Sequence, residues 1–165
     1  MPAGESSMTR RNMRRAAILR IDRAMVRIRR SQTRRTIGRL MERDLGTRFN
    51  MAHSFVVDAL DEARSSLGEE PSVGTVAEYL GVDPSRASRM VADALRGGYV
   101  RRVASQADGR RMHLELTGAG RKLLRTASRF RRHLFSKEMA SWPDRDCVEF
   151  ARLLTRFTEP PQNMR

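Results

Sequence analysis

The sequence has a single cysteine, Cys147, among 165 residues, and this scarcity excludes several kinds of site. An intrachain disulfide framework and a multi-cysteine zinc site are both ruled out. The histidines His53, His113 and His133 stand too far apart to form a local metal motif. We expect a protein of a reducing compartment with no metal or other cofactor, in which Cys147 is a buried, unreactive thiol because no second cysteine can resolve an oxidised one.

Long apolar runs and catalytic motifs are also missing. No run of apolar residues is long enough to span a bilayer, and the N-terminus lacks the apolar core of a secretory signal. The chain offers no activated nucleophile, carboxylate pair, phosphate-binding glycine loop or metal cluster. The sequence therefore predicts a cytoplasmic protein that is neither an enzyme nor bound to a membrane.

Acidic residues are in the minority, and the positive excess points to a polyanionic partner. The formal net charge is +14, from 33 basic and 19 acidic residues. Residues 1–48 hold 14 arginines against four acidic residues, so +10 of the excess lies in this part of the chain. A charge this large indicates nucleic acid as the leading partner.

The N-terminal third predicts one long helix. Residues 1–9 lack periodicity and predict a mobile tail, and residues 10–48 predict a basic dimerisation helix, uninterrupted by proline to about Leu40. Its apolar residues recur at steps of three and four, which is typical of a seam with a partner helix or with its own domain: Ile18, Ile21, Met25 and Ile28. Its arginines are compatible with contact to DNA flanking a site, with another anion, or with solvation alone.

Three further helices are predicted before residue 97. Residues 49–67 have helical spacing and end at a breaking signal. Ser72 can cap a short helix that Gly81 ends, and Asp83 can cap the next, with Pro84 at its first position. Two short helices joined by a tight turn predict a helix-turn-helix, whose recognition helix covers about residues 84–96.

Residues 99–116 predict a β-hairpin. "YVRRVA" and "MHLEL" alternate on either side of a polar tip, and the second segment places Met112, Leu114 and Leu116 on one face. A helix-turn-helix followed by a hairpin is a winged helix, whose tip arginines can reach a minor groove. Asp108 can pair with Arg110 and orient it, and a solvated turn with ordinary charges is the alternative.

Two helices over residues 117–158 and a frayed tail at 159–165 complete the prediction. Thr117 caps the first helix, which runs to about Ala140, and Ser141 caps the second. Together with the first helix, they hold more apolar surface than a small winged helix can cover. We therefore expect a homodimer.

A specific motif spans the wing and the helix after it. Asp108-x-Arg110 is followed by Leu116-Thr117 and then Gly120 at a fixed spacing, and "YVRR" precedes it. With this motif, residues 72–124 resemble the MarR family of bacterial winged-helix transcription regulators. The resemblance implies a homodimeric, DNA-associated repressor that binds a pseudo-palindromic operator and is released by a small-molecule effector. Gly109, where a basic or polar residue is usual, and the basic first helix depart from the family pattern.

The resemblance and the predicted elements together give two sets of candidate residues. The DNA-binding candidates are Ser72, Thr75, Ser85, Arg86, Ser88, Arg89, Asp108, Arg110 and Arg111. We expect Arg86 to read a base and Arg89 to read a base or hold a phosphate, because a guanidinium can bind a guanine edge through two hydrogen bonds. The effector candidates, which are alternatively core residues, are Phe49, Met51, His53 and Phe55.

The sequence thus predicts a mainly α protein with a small β-hairpin wing. This is a winged helix-turn-helix lobe at residues 49–116 between long N- and C-terminal dimerisation helices. Two other functions stay open. One is a DNA-coating or nucleoid-type protein with little sequence preference, which the charge of residues 1–48 suggests. The other is a winged helix that binds protein, against which Arg86 and Arg110 on one surface argue.

Overall fold

The computed structural model describes residues 3–33, 50–68, 70–105 and 111–159. Within these ranges the chain has six helices and one two-stranded antiparallel sheet. The elements are α1 (Ala3–Thr33), α2 (Met51–Leu67), α3 (Val73–Leu80), α4 (Pro84–Arg96), β1 (Val100–Ala104), β2 (Met112–Leu116), α5 (Gly118–Glu138) and α6 (Asp144–Thr158). The predicted mainly α fold with a hairpin wing is confirmed. None of the described helices is both long and apolar enough to cross a membrane.

The chain divides into two compact units, residues 1–52 and 53–165. In the first unit, α1 begins at Ala3, seven residues before the predicted start at Arg10. No proline interrupts residues 3–33, so the helix is continuous over this range although Gly4 disfavours it. The predicted continuation beyond Thr33 to Leu40 lies outside the described residues.

The core of the second unit joins α2, α3 and α4 to the sheet. Ser72 caps α3, since its Oγ accepts a hydrogen bond from the Thr75 N–H at 3.2 Å. Gly81 ends α3 with a φ of 60°, a conformation that L side chains rarely adopt. These predicted signals are confirmed, and they set the tight turn of a helix-turn-helix. The buried cluster beneath it consists of Val56, Ala59, Leu60, Val76, Ala77, Ala87, Val91, Ala94, Val100 and Leu114.

The two strands pair as a hairpin, with Arg102 opposite Leu114. Leu114 is buried and Leu116 is half-buried, as the alternation predicts. Met112, on the same face, is 54 % exposed, because the outer end of the hairpin extends past the core. His113 on the opposite face is buried instead.

Thr117 caps α5 as predicted, with its Oγ1 accepting from the Gly120 N–H at 3.1 Å. The helix buries Ala127 and Phe130 and ends at Glu138, close to the predicted end at residue 140. Arg131 on α5 donates two hydrogen bonds of 2.8 Å to the carboxylate of Asp58 on α2. This bidentate pair holds α5 against α2.

The start of α6 differs from the prediction. The helix begins at Asp144 after Pro143, without a side-chain cap, so the predicted cap at Ser141 is wrong. The Trp142 N–H donates to the Met139 carbonyl at 2.9 Å, which folds residues 139–142 into a turn ahead of the helix. Cys147 is half-buried rather than buried.

Candidate nucleic-acid interface

The outward face of α4 carries the residues predicted to read DNA. Ala87, Val91 and Ala94 are buried, at spacings of four and three, so the opposite side of the helix faces solvent. Asp83 starts this helix, with Oδ1 accepting from the Arg86 N–H at 2.8 Å. After this cap, the first two turns of α4 are exposed along one side. The exposed residues there are Ser85, Arg86, Ser88 and Arg89.

The two arginines on this face have no acidic partner in the part of the chain that the structure describes. Neither Arg86 nor Arg89 forms an ion pair with any other described residue. By contrast, Arg64 and Arg101 both bind the carboxylate of Glu115. A free guanidinium keeps all its donors for a phosphate or a base edge. The charge on α4 is therefore available to a ligand.

Ser72 and Thr75 use their hydroxyls within the fold. The Ser72 N–H donates to Thr75 Oγ1 at 3.0 Å, and the Thr75 N–H donates to Ser72 Oγ, which makes a capping box. The two hydroxyl oxygens also lie 3.1 Å apart, so one hydroxyl donates to the other and a single proton is left to share with a phosphate. Their contact with DNA stays a prediction.

The structure describes both strands of the wing but not residues 106–110 between them. Asp108 and Arg110 lie outside the described residues, as does Phe49 of the effector set. Arg111 is exposed, and its carbonyl accepts from the Ser105 N–H at 2.8 Å. Arg102 on β1 is exposed as well and adds a cation that the sequence did not single out.

A charged cluster at the base of the wing joins three elements. Glu115 on β2 accepts from Arg101 on β1 at 2.8 Å and from Arg64 on α2 at 3.1 Å. His113 Nε2 lies 3.4 Å from the same carboxylate. These hydrogen bonds, that of Arg101 above all, lower the pKa of Glu115 to about 2. Because Arg64 and Glu115 are 51 residues apart, no local spacing signals this cluster.

The described effector candidates have different surroundings. Met51 is half-buried, and Phe55 is 46 % exposed. The ring of His53 lies 5.0 Å from that of Tyr99, and burial lowers the pKa of His53 against the opposing effect of Asp93. Two shallow cavities, of about 270 and 240 Å³, lie elsewhere, on either side of Glu115.

Solved structures share this architecture. A MarR family protein from Bacillus stearothermophilus aligns with a TM-score of 0.69 and 17 % identity, over 87 % of this chain and 94 % of that one. The PcaV transcriptional regulator from Streptomyces coelicolor, solved in complex with its natural ligand, gives 0.51 and 22 %, over 77 % and 87 %. MepR of S. aureus, solved as a DNA complex, gives 0.58 and 13 %, over 81 % and 91 %. At these identities the likeness is one of fold.

The comparison with family models agrees with the fold. No curated protein matches the chain. A family model described as the MarR family matches residues 50–111, from the residue before α2 to the residue before β2. Members of this family are transcriptional regulators and not enzymes. The matched segment therefore holds α2, α3, α4 and β1, and over these elements the chain is similar to the MarR family.

Proposed function

We propose that this chain is a homodimeric, sequence-specific repressor that binds a pseudo-palindromic operator in double-stranded DNA and is released by a small-molecule effector. Such a repressor acts in the bacterial cytoplasm, where it can reach the chromosome. The observation that carries the proposal is the exposed, unpaired pair Arg86 and Arg89 on the second helix of the helix-turn-helix. MepR, which shares the fold, has been solved bound to DNA.

In the proposed complex, the first half of α4 enters a major groove. Arg86 binds a guanine through two hydrogen bonds, and Arg89 extends the contact one turn further along the same face. Ser85 and Ser88 donate to phosphates at the helix N-terminus, where the backbone also favours an anion. Arg110 at the wing tip enters the flanking minor groove.

Dimerisation is supported by an apolar face that the second unit leaves uncovered. α6 buries none of its own side chains, and its largest apolar residues lie at helical spacing on one face: Phe150, Leu153, Leu154 and Phe157. An exposed stripe of this kind usually packs against a partner. A second copy would cover it by two-fold symmetry and bring a second α4 to the next major groove.

Release by an effector is supported by one solved structure and by the surroundings of His53. PcaV, which shares the fold, was solved with a ligand, and His53 offers an aromatic ring and a buried Nδ1 without a hydrogen-bond partner among the described residues. Aromatic small molecules with one group that hydrogen-bonds to an imidazole nitrogen fit this chemistry. Titrating a panel of them into the labelled operator complex and following fluorescence anisotropy tests it, with His53→Phe as the variant expected to lose the response.

The primary test selects duplexes from a random pool with the purified protein at physiological salt. We expect a two-fold symmetric motif with half-sites about one helical turn apart. On the selected duplex, Arg86→Ala should weaken binding by about 5- to 140-fold and relax the preference at one base, since a bidentate pair contributes about 1–3 kcal/mol. Arg129→Ala, which removes an exposed arginine of α5, should change neither.

A DNA-coating protein is the second candidate, and the +10 charge of residues 1–48 favours it. Such a protein binds through phosphates alone, so its affinity falls steeply with salt and hardly depends on sequence. Flat enrichment together with measurable binding, and equal behaviour of Arg86→Ala and the parent, would replace the repressor by this function.

A further inference from the structure

α1 carries two stripes of side chains on opposite faces. The arginine stripe consists of Arg20, Arg23, Arg27 and Arg30, and the apolar stripe of Ile18, Ile21, Met25 and Ile28. Both follow steps of three, four and three residues, so each runs along one face of the helix. Each arginine follows an apolar residue by two positions, which is a rotation of about 200°. The two stripes therefore point in nearly opposite directions.

The arginine stripe is exposed and has little opposing charge. All four of its side chains are exposed, and none forms an ion pair with a described residue. Between residues 11 and 30 the sequence holds eight arginines and one acidic residue, Asp22. At about 1.5 Å of rise per residue, the four guanidiniums of the stripe span about 15 Å. Like charges held this close repel each other until a polyanion neutralises them.

We propose that the arginine stripe is a second DNA-binding surface, which holds the phosphates of a duplex without reading its sequence. The inference rests on the proposed function, because it adds to the contact that α4 makes. Guanidinium groups suit this partner, since each can bind phosphate oxygens through two parallel hydrogen bonds. With the apolar stripe on the far side, a partner helix can cover that face while the arginines stay open.

A membrane surface is the other polyanion that a basic amphipathic helix can bind. Helices of that kind place Trp or Phe on the apolar face as interfacial anchors. Residues 1–48 contain no aromatic residue, and the apolar stripe has only isoleucine and methionine. The composition therefore favours nucleic acid over a lipid surface.

The test compares two triple variants of the full chain that lose the same charge from the same helix. The stripe variant is Arg20→Gln, Arg23→Gln, Arg27→Gln, and the control is Arg11→Gln, Arg14→Gln, Arg15→Gln, which lies off the stripe. Glutamine keeps a helix propensity close to that of arginine, and circular dichroism checks the fold. Affinity for the selected operator and for a scrambled duplex is measured between low and physiological salt.

In the stripe variant, the slope of log affinity against log salt should become shallower by up to about 2.7, at about 0.9 for each lost phosphate contact. The control should keep the parent slope, and both variants should keep the parent's ratio of operator to scrambled affinity. Equal changes of slope in the two variants, or no change in either, would overturn the inference. Binding of the parent to mixed phosphatidylserine and phosphatidylcholine vesicles, lost only in the stripe variant while its DNA slope is unchanged, would overturn it in favour of a membrane.

Failure of the proposed function looks different. If the parent binds DNA without sequence preference, specific repression is wrong. The comparison of slopes still shows whether the arginine stripe contacts DNA. If the parent prefers its operator and the slopes do not differ, only the stripe is wrong. If the parent binds no DNA, both are wrong.

Discussion

Three backbone segments meet at the side chain of Thr117. Its Oγ1 donates to the Gly98 carbonyl at 2.6 Å and accepts from the Gly120 N–H, and its own N–H donates to the Tyr99 carbonyl at 3.0 Å. The start of α5 thereby approaches the start of β1 so closely that a Cβ on Gly120 would lie 2.1 Å from the Tyr99 oxygen. The Leu-Thr-x-x-Gly motif, noticed in the sequence as a resemblance, is thus a packing requirement.

Replacing Gly120 by alanine should destabilise the fold, because the backbone oxygen it meets cannot move aside as a flexible side chain would. We expect the free energy of unfolding to fall by about 1–3 kcal/mol or more, measured by urea denaturation. Gly118→Ala is the matched control, since its Cβ would meet nothing within 4 Å. Equal stability of the two variants would contradict the close approach.

The cluster around Glu115 predicts a stability difference that depends on pH. The pKa of Glu115 is lowered from 4.5 to about 2, so its ion pairs stabilise the fold fully above pH 4.5 and are lost as the pH falls toward 2. Glu115→Gln should lower the free energy of unfolding by about 1 kcal/mol at pH 7, because both arginine partners are largely exposed. Denaturation at several pH values should show this difference shrinking below pH 4.5.

Glu78→Gln, at an exposed position on α3, is the control for that series. It should match the parent at every pH where Glu115→Gln does not. A Glu115→Gln deficit that stays constant down to pH 2 would show that the glutamine disturbs packing rather than charge.

At the scale of elements, the sequence predicted the helix-turn-helix because its signals are local. A cap such as Ser72 or Asp83 bonds to an N–H three residues away, so its partner can be read from the neighbouring letters. The prediction of where α6 starts failed for a related reason. Two signals, Ser141 and Pro143, compete within three residues, and the turn before the helix decides between them.

The site was predictable where periodicity alone decides exposure. The face of α4 with Arg86 follows from the buried spacing on its other side. The exposure of Met112 and the burial of His113 could not be predicted, because what covers the hairpin depends on α2 and on the chain near Pro71, whose carbonyl accepts from the Leu114 N–H at 2.8 Å. Contacts between distant parts of the chain leave no mark in local alternation.

The cap of α4 should matter for stability and for recognition. Asp83→Ala removes the acceptor of the Arg86 N–H, and we expect a loss of about 1 kcal/mol in the free energy of unfolding. Fraying of the first turn should also weaken operator binding, by less than Arg86→Ala does. Asp83→Asn keeps a capping oxygen and should stay close to the parent in both measurements; an asparagine variant as weak as the alanine variant would assign the effect to charge.

At the scale of the whole molecule, the uncovered face of α6 makes the oligomeric state testable. Phe157 is 66 % exposed on the apolar stripe, and Val148 is 70 % exposed on the other side of the helix. We expect Phe157→Glu to give a monomer in analytical ultracentrifugation, because a charge would be buried at the interface, and to bind the operator weakly. Val148→Glu should stay dimeric. If Phe157→Glu is dimeric as well, the interface lies elsewhere.

The junction at Thr117 also has a mechanical consequence. Because the first turn of α5 is hydrogen-bonded to the backbone where β1 begins, we expect a rotation of α5 to move the hairpin with it. Five residues of strand reach about 16 Å from this pivot, so a rotation of about 10° moves the far end by about 3 Å. That distance is close to the step of about 3.4 Å between neighbouring base pairs. A tilt of one helix by about 10° is thus enough to shift the wing by about one position along the groove.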